Sequence, residues 1–337
     1  MSYQLRDQLL PKNPSALLIW AIVFVFPHII ASFITLLDKE YWAFYKKRLL
    51  KALVLISSAV FCINLLLPHL LDATQYRTLA ITFFIFYSAY TMYHVLSQQL
   101  GIGMVLMQRP SSGAAYERLR WLASIGGALL YLMVFAEYFL KGIQWQGYSV
   151  YSIAQITAVI AIALASIQGV WLAKQSKRAL GTWYNASNLI MLWAIVILLS
   201  LGYSFFVIAI PRIVHDLSAF MVYSVHDENR NQIKQHNLLY KKLAFLGMPI
   251  TVICVFAAIL IANTIQCSSF VVDTWLGFQG NNTCVLHRYY TSGNSTTLPS
   301  SMQLWFQLML ITGFFHYYIE SFIWKKDSLH RHQVSFS

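Results

Sequence analysis

Charge is what this sequence lacks. Asp, Glu, Lys and Arg make up 11 % of its 337 residues, against roughly a quarter in an ordinary soluble domain. So few charges cannot cover the surface of a soluble protein of this length. A disordered chain would be poor in apolar residues and rich in charge, the reverse of what is found. Acidic residues are the scarcer sign, 12 against 24 Lys and Arg. The apolar stretches hold too few carboxylates for an all-oxygen magnesium or calcium site. Cysteine is also scarce. Cys62 and Cys254 lie singly in apolar stretches, which excludes a thiolate metal site, while Cys267 and Cys284 share one polar loop. No phosphate loop, dinucleotide fingerprint or nucleophile elbow is present, and no internal repeat is evident.

What is present is apolar length. Hydrophobic residues make up 58 % of the chain, and the mean hydropathy is +0.56. A membrane span takes about 20 mostly apolar residues. Nine stretches meet that need, near 15–37, 49–71, 78–100, 121–140, 150–173, 186–203, 205–226, 243–265 and 301–324. The first, about 23 residues long, exceeds a signal-peptide core and reads as a retained span. Residues 187–226 as one helix would be about 60 Å long, twice the hydrocarbon core. They must fold back, at Gly202-Tyr203-Ser204 or at Pro211-Arg212. The predicted fold is all-α: a polytopic membrane bundle forming a single transmembrane domain over 1–337.

The basic residues orient that bundle. With the N-terminus outside and the C-terminus inside, 18 of the 24 Lys and Arg fall in cytoplasmic loops, and every loop alternates as the positive-inside rule requires. Residues 325–337 are then a cytoplasmic tail and 266–300 an extracytoplasmic loop, where Cys267 and Cys284 suit a disulfide. The net charge of +12 is accounted for by topology, and no nucleic-acid partner is implied. The expected location is a bacterial inner (cytoplasmic) membrane.

An ionisable side chain at membrane depth is expensive and therefore marks a functional candidate. Of ten histidines, His236, His287, His330 and His332 fall in loops or the tail and read as solvated, and His69 as interfacial. His28, His94, His215, His226 and His316 fall within spans. Counted from the outer face, His28, His94 and His316 lie about 0.6 to 0.7 of the way through a core of about 30 Å, so three spans bring a histidine to one level. His215 and His226 are eleven residues apart, on one helix face but about 16 Å apart along the axis. They cannot both bind one metal ion. Each precedes an aspartate, Asp216 and Asp227, which suggests two polar layers or one ligand and one gate. His316 and Glu320, at i and i+4, share a helix face. Neutral imidazoles from separate helices with a nearby carboxylate suit iron first, zinc second and copper third. Glu320 and Asp216 are candidates to orient a ligand or move protons. Aromatic residues at histidine level, among them Tyr90, Phe220 and Tyr223, suit a lipophilic pocket for a polyene, quinone, sterol or acyl chain.

This layout of single histidines on separate spans resembles the bacterial membrane-embedded carotene-cleaving dioxygenases of the Brp/Blh type. Pro27-His28 in the first span, His94 in the third and His215 in a late span carry the resemblance. The later histidines here are eleven residues apart rather than about one turn, and His316-Glu320 has no counterpart. The resemblance implies non-haem iron oxidation of a membrane-dissolved substrate. The expectation is an integral-membrane iron oxygenase with ligands His28, His94, His316 and one of His215 or His226. A proton-coupled transporter using a His/Asp relay, a bis-histidine haem protein and a non-catalytic membrane subunit are the alternatives.

Overall fold

The computed structural model describes residues 23–24, 26–110, 113–134, 142–267, 300–325 and 328–334. The described chain is all-α apart from one short hairpin. In order come α1 (Phe26–Thr35), α2 (Lys39–Phe61), a π-helical turn (Cys62–Leu66) leading into α3 (Leu67–Leu70), α4 (Ala73–Leu106) and α5 (Ala114–Val134). The antiparallel hairpin β1 (Gln144–Trp145) and β2 (Tyr148–Ser149) follows. Then come α6 (Val150–Ala173), α7 (Ala179–Ser200), α8 (Ser204–Asn231), α9 (Leu238–Leu243), α10 (Ile250–Cys267) and α11 (Ser300–Ile323). Each of the nine apolar stretches contains a helix. Five segments are long and apolar enough to cross a membrane: Lys39–Leu70, α4, α6, α7 and α8. A sixth is added if Leu238–Leu246 and Ile250–Ile265, bent by 107°, are counted as one span. This is the make-up of a multi-pass membrane protein. Residues 268–299, and with them the Cys267–Cys284 pairing, lie outside the described residues.

The fold-back between α7 and α8 is made at Gly202, whose φ of +79° is open to glycine at little cost. The Tyr203 amide donates to the Leu198 carbonyl and the Gly202 amide to the Leu199 carbonyl. Together these bonds close α7 in a Schellman motif. Pro211 is accommodated inside α8, and Gln99 Nε2 donates to its carbonyl at 2.9 Å.

Contacts divide the chain into two compact units. The first is built on Thr74–His215 and the second on Pro14–Ala73 with Asp216–Ser335. In the first unit, Leu96, Leu119, Leu130, Ile162 and Leu192 form the core. Its helices approach closely at small residues, as membrane helices do. A methyl group on Gly126 would lie 2.6 Å from Ile162 Cγ1, and one on Gly181 only 2.2 Å from the Met107 amide nitrogen.

In the second unit Ala31 of α1 and Ala258 and Ala262 of α10 are fully enclosed, and Tyr45, Leu49 and Phe322 pack in the same core. The starts of α2 and α9 are pinned together. Asp38 caps α2, Asn237 caps α9, and the two residues form an isolated β-bridge. Asn237 Nδ2 also donates to the Ile34 carbonyl at 2.7 Å. These bonds satisfy helix-end groups that the apolar surroundings would otherwise leave at a cost.

Candidate metal-binding site

Three helices of the second unit deliver polar side chains to its interior, in pairs whose spacing keeps each pair on one helix face. From α1 come His28 and Ser32, from α8 Asp216 and Tyr223, and from α11 His316 and Glu320. All six are buried. His28 Nδ1 faces Asp216 Oδ1 at 3.0 Å. The His28 and His316 rings meet edge to face with centroids 4.8 Å apart. His316 Nδ1 lies 2.9 Å from Ser32 Oγ, and Ser32 Oγ donates to the Ile29 carbonyl at 2.6 Å. The Tyr223 hydroxyl donates to Glu320 Oε1, and His316 Nε2 lies 3.3 Å from Glu320 Oε2.

Ser32 Oγ is within reach of both the Ile29 carbonyl and His316 Nδ1. A hydroxyl has one hydrogen and rotates to suit its partners. With that hydrogen on Ile29, Ser32 accepts from His316 Nδ1–H and the Nε2 lone pair faces Glu320; with it on His316, Nε2–H donates to Glu320. The first tautomer is the one that can bind a metal cation between Nε2 and Oε2. His28 Nδ1 faces a carboxylate oxygen, and the tautomer protonated there has its lone pair on Nε2. A histidine whose Nδ1–H is held by a carboxylate or another acceptor is the usual arrangement of a metal-ligating imidazole.

The same unit holds a second polar layer. His226 Nδ1 donates to Asp227 Oδ1 at 2.8 Å, and its Nε2 lies 3.0 Å from the Tyr41 hydroxyl. Asp227 Oδ1 also accepts from Thr35 at 2.6 Å, and Oδ2 accepts from the Tyr240 hydroxyl. Both nitrogens of His226 and both oxygens of Asp227 are therefore taken by protein groups. His330 was expected to be solvated but is fully buried. It stacks on Tyr41 with centroids 3.8 Å apart and on His226 at 4.9 Å. Burial, reinforced by His226 and Arg230, pushes its imidazole well below its ordinary range. Tyr41 is likewise buried.

In the first unit α4 and α8 bring His94 and His215 together, edge to face with centroids 5.2 Å apart. The remaining described histidines lie apart from these groups. His236 sits at an ion-pair cluster 3.2 Å from Glu40, and His69 and His332 are exposed. Reading the sequence by ionisable residues missed Ser32, Thr35 and Tyr240, and it placed Tyr223 at histidine level only as a pocket aromatic. The signal was there for two of them: Ser32 and Thr35 follow His28 at four and seven residues, the helical repeat of one face. Nothing in the sequence pointed to His330.

Compared with protein-family models, curated proteins and solved structures, the chain matches none of them.

Proposed function

We propose that this protein is an integral-membrane, metal-dependent oxygenase that acts on a lipophilic substrate dissolved in the bilayer. In this reading His28, His316 and Glu320 hold the metal, Asp216 and Ser32 fix the two imidazole tautomers, and Tyr223 orients Glu320. The observation that carries it is the convergence of buried imidazole and carboxylate groups: the His28 and His316 rings meet with centroids 4.8 Å apart, and His316 Nε2 lies 3.3 Å from Glu320 Oε2. Two neutral imidazoles and one carboxylate are the donor set of non-haem iron oxygenases, so iron is the proposed metal, ahead of zinc and copper. Such iron supplies oxygen activation when bound. The protein's part is to keep the ligands neutral or anionic, oriented and dry. His226 is left out of the ligand set because protein groups take both its nitrogens.

The apolar surroundings support a lipophilic substrate: a polyene, quinone or acyl chain. The edge-to-face contact of His28 with His316 leaves no room for a porphyrin between the rings, which weighs against the haem alternative. We further propose nine spans with the N-terminus outside and the C-terminus inside, in a bacterial inner membrane. The support is the alternation of basic loops together with a helix in each apolar stretch.

Elemental analysis of the purified chain tests the reading. Stoichiometric iron is expected in the wild type, with loss in His28→Ala and His316→Ala and retention in His226→Ala. A metal-free wild type would leave a proton between His316 and Glu320 in the place of the metal. The protein would then be a proton-coupled carrier, detectable as substrate-driven proton uptake into vesicles.

A further inference from the structure

The second unit carries a surface that the metal site does not use. α8 ends at Asn231, and the chain then runs through an exposed loop into Leu238–Leu246 before turning by 107° into Ile250–Ile265. If α10 runs across the bilayer, a segment nearly perpendicular to it lies along the bilayer plane. Its exposed side chains are of two kinds. Ile233 is fully exposed and Phe245 is 80 % exposed, a poor arrangement in water. Lys234, Lys241 and Lys242 stand among them, also exposed. The pinned start of α2 adds a fourth lysine, Lys39, beside Asn237 and Leu238. The nearby carboxylates are already engaged. Arg230 pairs with Asp38 and Glu40, and Glu228 accepts from the Thr251 amide at 3.2 Å. Among the described residues the four lysines form no ion pair, and their positive charge is uncompensated there.

We propose that this foot, residues 232–249 with the first turn of α2, binds the headgroups of anionic phospholipids at one face of the membrane. An in-plane segment with lysines beside large apolar side chains is built for that boundary: the apolar groups enter the acyl region and the ammonium groups meet phosphate. A free phosphate ion would leave Ile233 and Phe245 without an apolar partner, so the lipid is the ligand. The inference rests on charge and geometry alone and is independent of the metal reading.

The test uses the full purified chain in mild detergent with equal amounts of dioleoyl phosphatidylglycerol and dioleoyl phosphatidylcholine. Native mass spectrometry counts the lipids retained. The wild type is expected to retain phosphatidylglycerol preferentially. The quadruple variant Lys39→Gln, Lys234→Gln, Lys241→Gln and Lys242→Gln should lose at least about fivefold of that preference, the factor that one lysine near an anionic surface contributes. The matching quadruple Lys→Arg variant should keep it. So should Lys174→Gln with Lys177→Gln, exposed lysines of the first unit. A wild type without preference, a Gln variant that retains it, or an equal loss in the Lys174/Lys177 control would overturn the proposal. The wild-type comparison reads this even if a variant fails to fold.

Discussion

The second unit contains two polar layers made of nearly the same parts, and they are wired in opposite ways. Each has a histidine, a carboxylate, a tyrosine and an α1 hydroxyl. In the layer of His226, Asp227, Tyr41, Tyr240 and Thr35, every donor meets an acceptor. Such a network is satisfied by protein alone and fixes the packing of α1, α2, α8 and α9. In the layer of His316, Glu320, Tyr223 and Ser32, the Tyr223 hydroxyl holds one carboxylate oxygen and the other faces His316 Nε2 at 3.3 Å. The difference comes from one hydroxyl. Thr35 donates to the carboxylate of its layer, whereas Ser32 lies against the Ile29 carbonyl and His316 Nδ1. Composition alone does not separate the two layers; the partners of each polar atom do.

The comparison can be broken from either side. The largest effect is expected at Glu320 and His316: Glu320→Ala or His316→Ala should abolish stoichiometric metal, read by elemental analysis, while the helical content measured by circular dichroism is retained. Asp227→Ala should do the opposite. It leaves Thr35, Tyr240 and His226 without their acceptor and should cost about 3–5 kcal/mol of stability, seen as a large drop in melting temperature. The protein that remains folded should keep its metal. Loss of metal with unchanged stability in Asp227→Ala would reverse the assignment of the two layers.

Ser32→Ala should have a smaller and more selective effect. Releasing the His316 tautomer is expected to weaken metal binding about 10- to 100-fold, measured by competition with a chelator, with little change in melting temperature. The smallest effect should come from His330. Its imidazole is held below its unfolded pKa of about 6.5, so the unfolded chain binds the extra proton. The stability contributed by keeping it neutral is complete above about pH 6.5 and is lost as the pH falls toward the folded value. At pH 5 the loss should reach about 2 kcal/mol. His330→Phe keeps the stacking on Tyr41 and removes the titration, so its melting temperature should depend less on pH over this range.

Several features of the fold were readable from the sequence because they rest on local chemistry. Apolar length gives the helices, and the fold-back within 187–226 follows from a helix too long for the bilayer. Which of two turns made it was not readable, because both Gly202 and Pro211 are compatible with a turn. The Gly202 backbone takes the left-handed conformation, and Pro211 is held inside α8. At the site, pairing His316 with Glu320 needed only helical spacing. Pairing His28 with Asp216, or Ser32 with His316, needed contacts between α1 and residues nearly 190 and 284 positions away. His330 shows the same limit. A histidine in a polar tail carries no local mark of burial, and the rings of Tyr41 and His226 enclose it only once α2, α8 and the tail have packed.

By itself the sequence determined the class of protein: too little charge for a soluble surface, apolar stretches long enough to become helices, and a few ionisable groups too costly to be there by accident. Those results depend on transfer free energies and helical periodicity, which act over a few turns of chain. Only the tertiary structure decided what each polar group does. A histidine's role depends on what each ring nitrogen meets, and one of those partners comes from another helix. For His226 the partners are Tyr41 of α2 and its own neighbour Asp227, which occupy both nitrogens. For His316 they are Ser32 of α1 and, one turn along its own helix, Glu320.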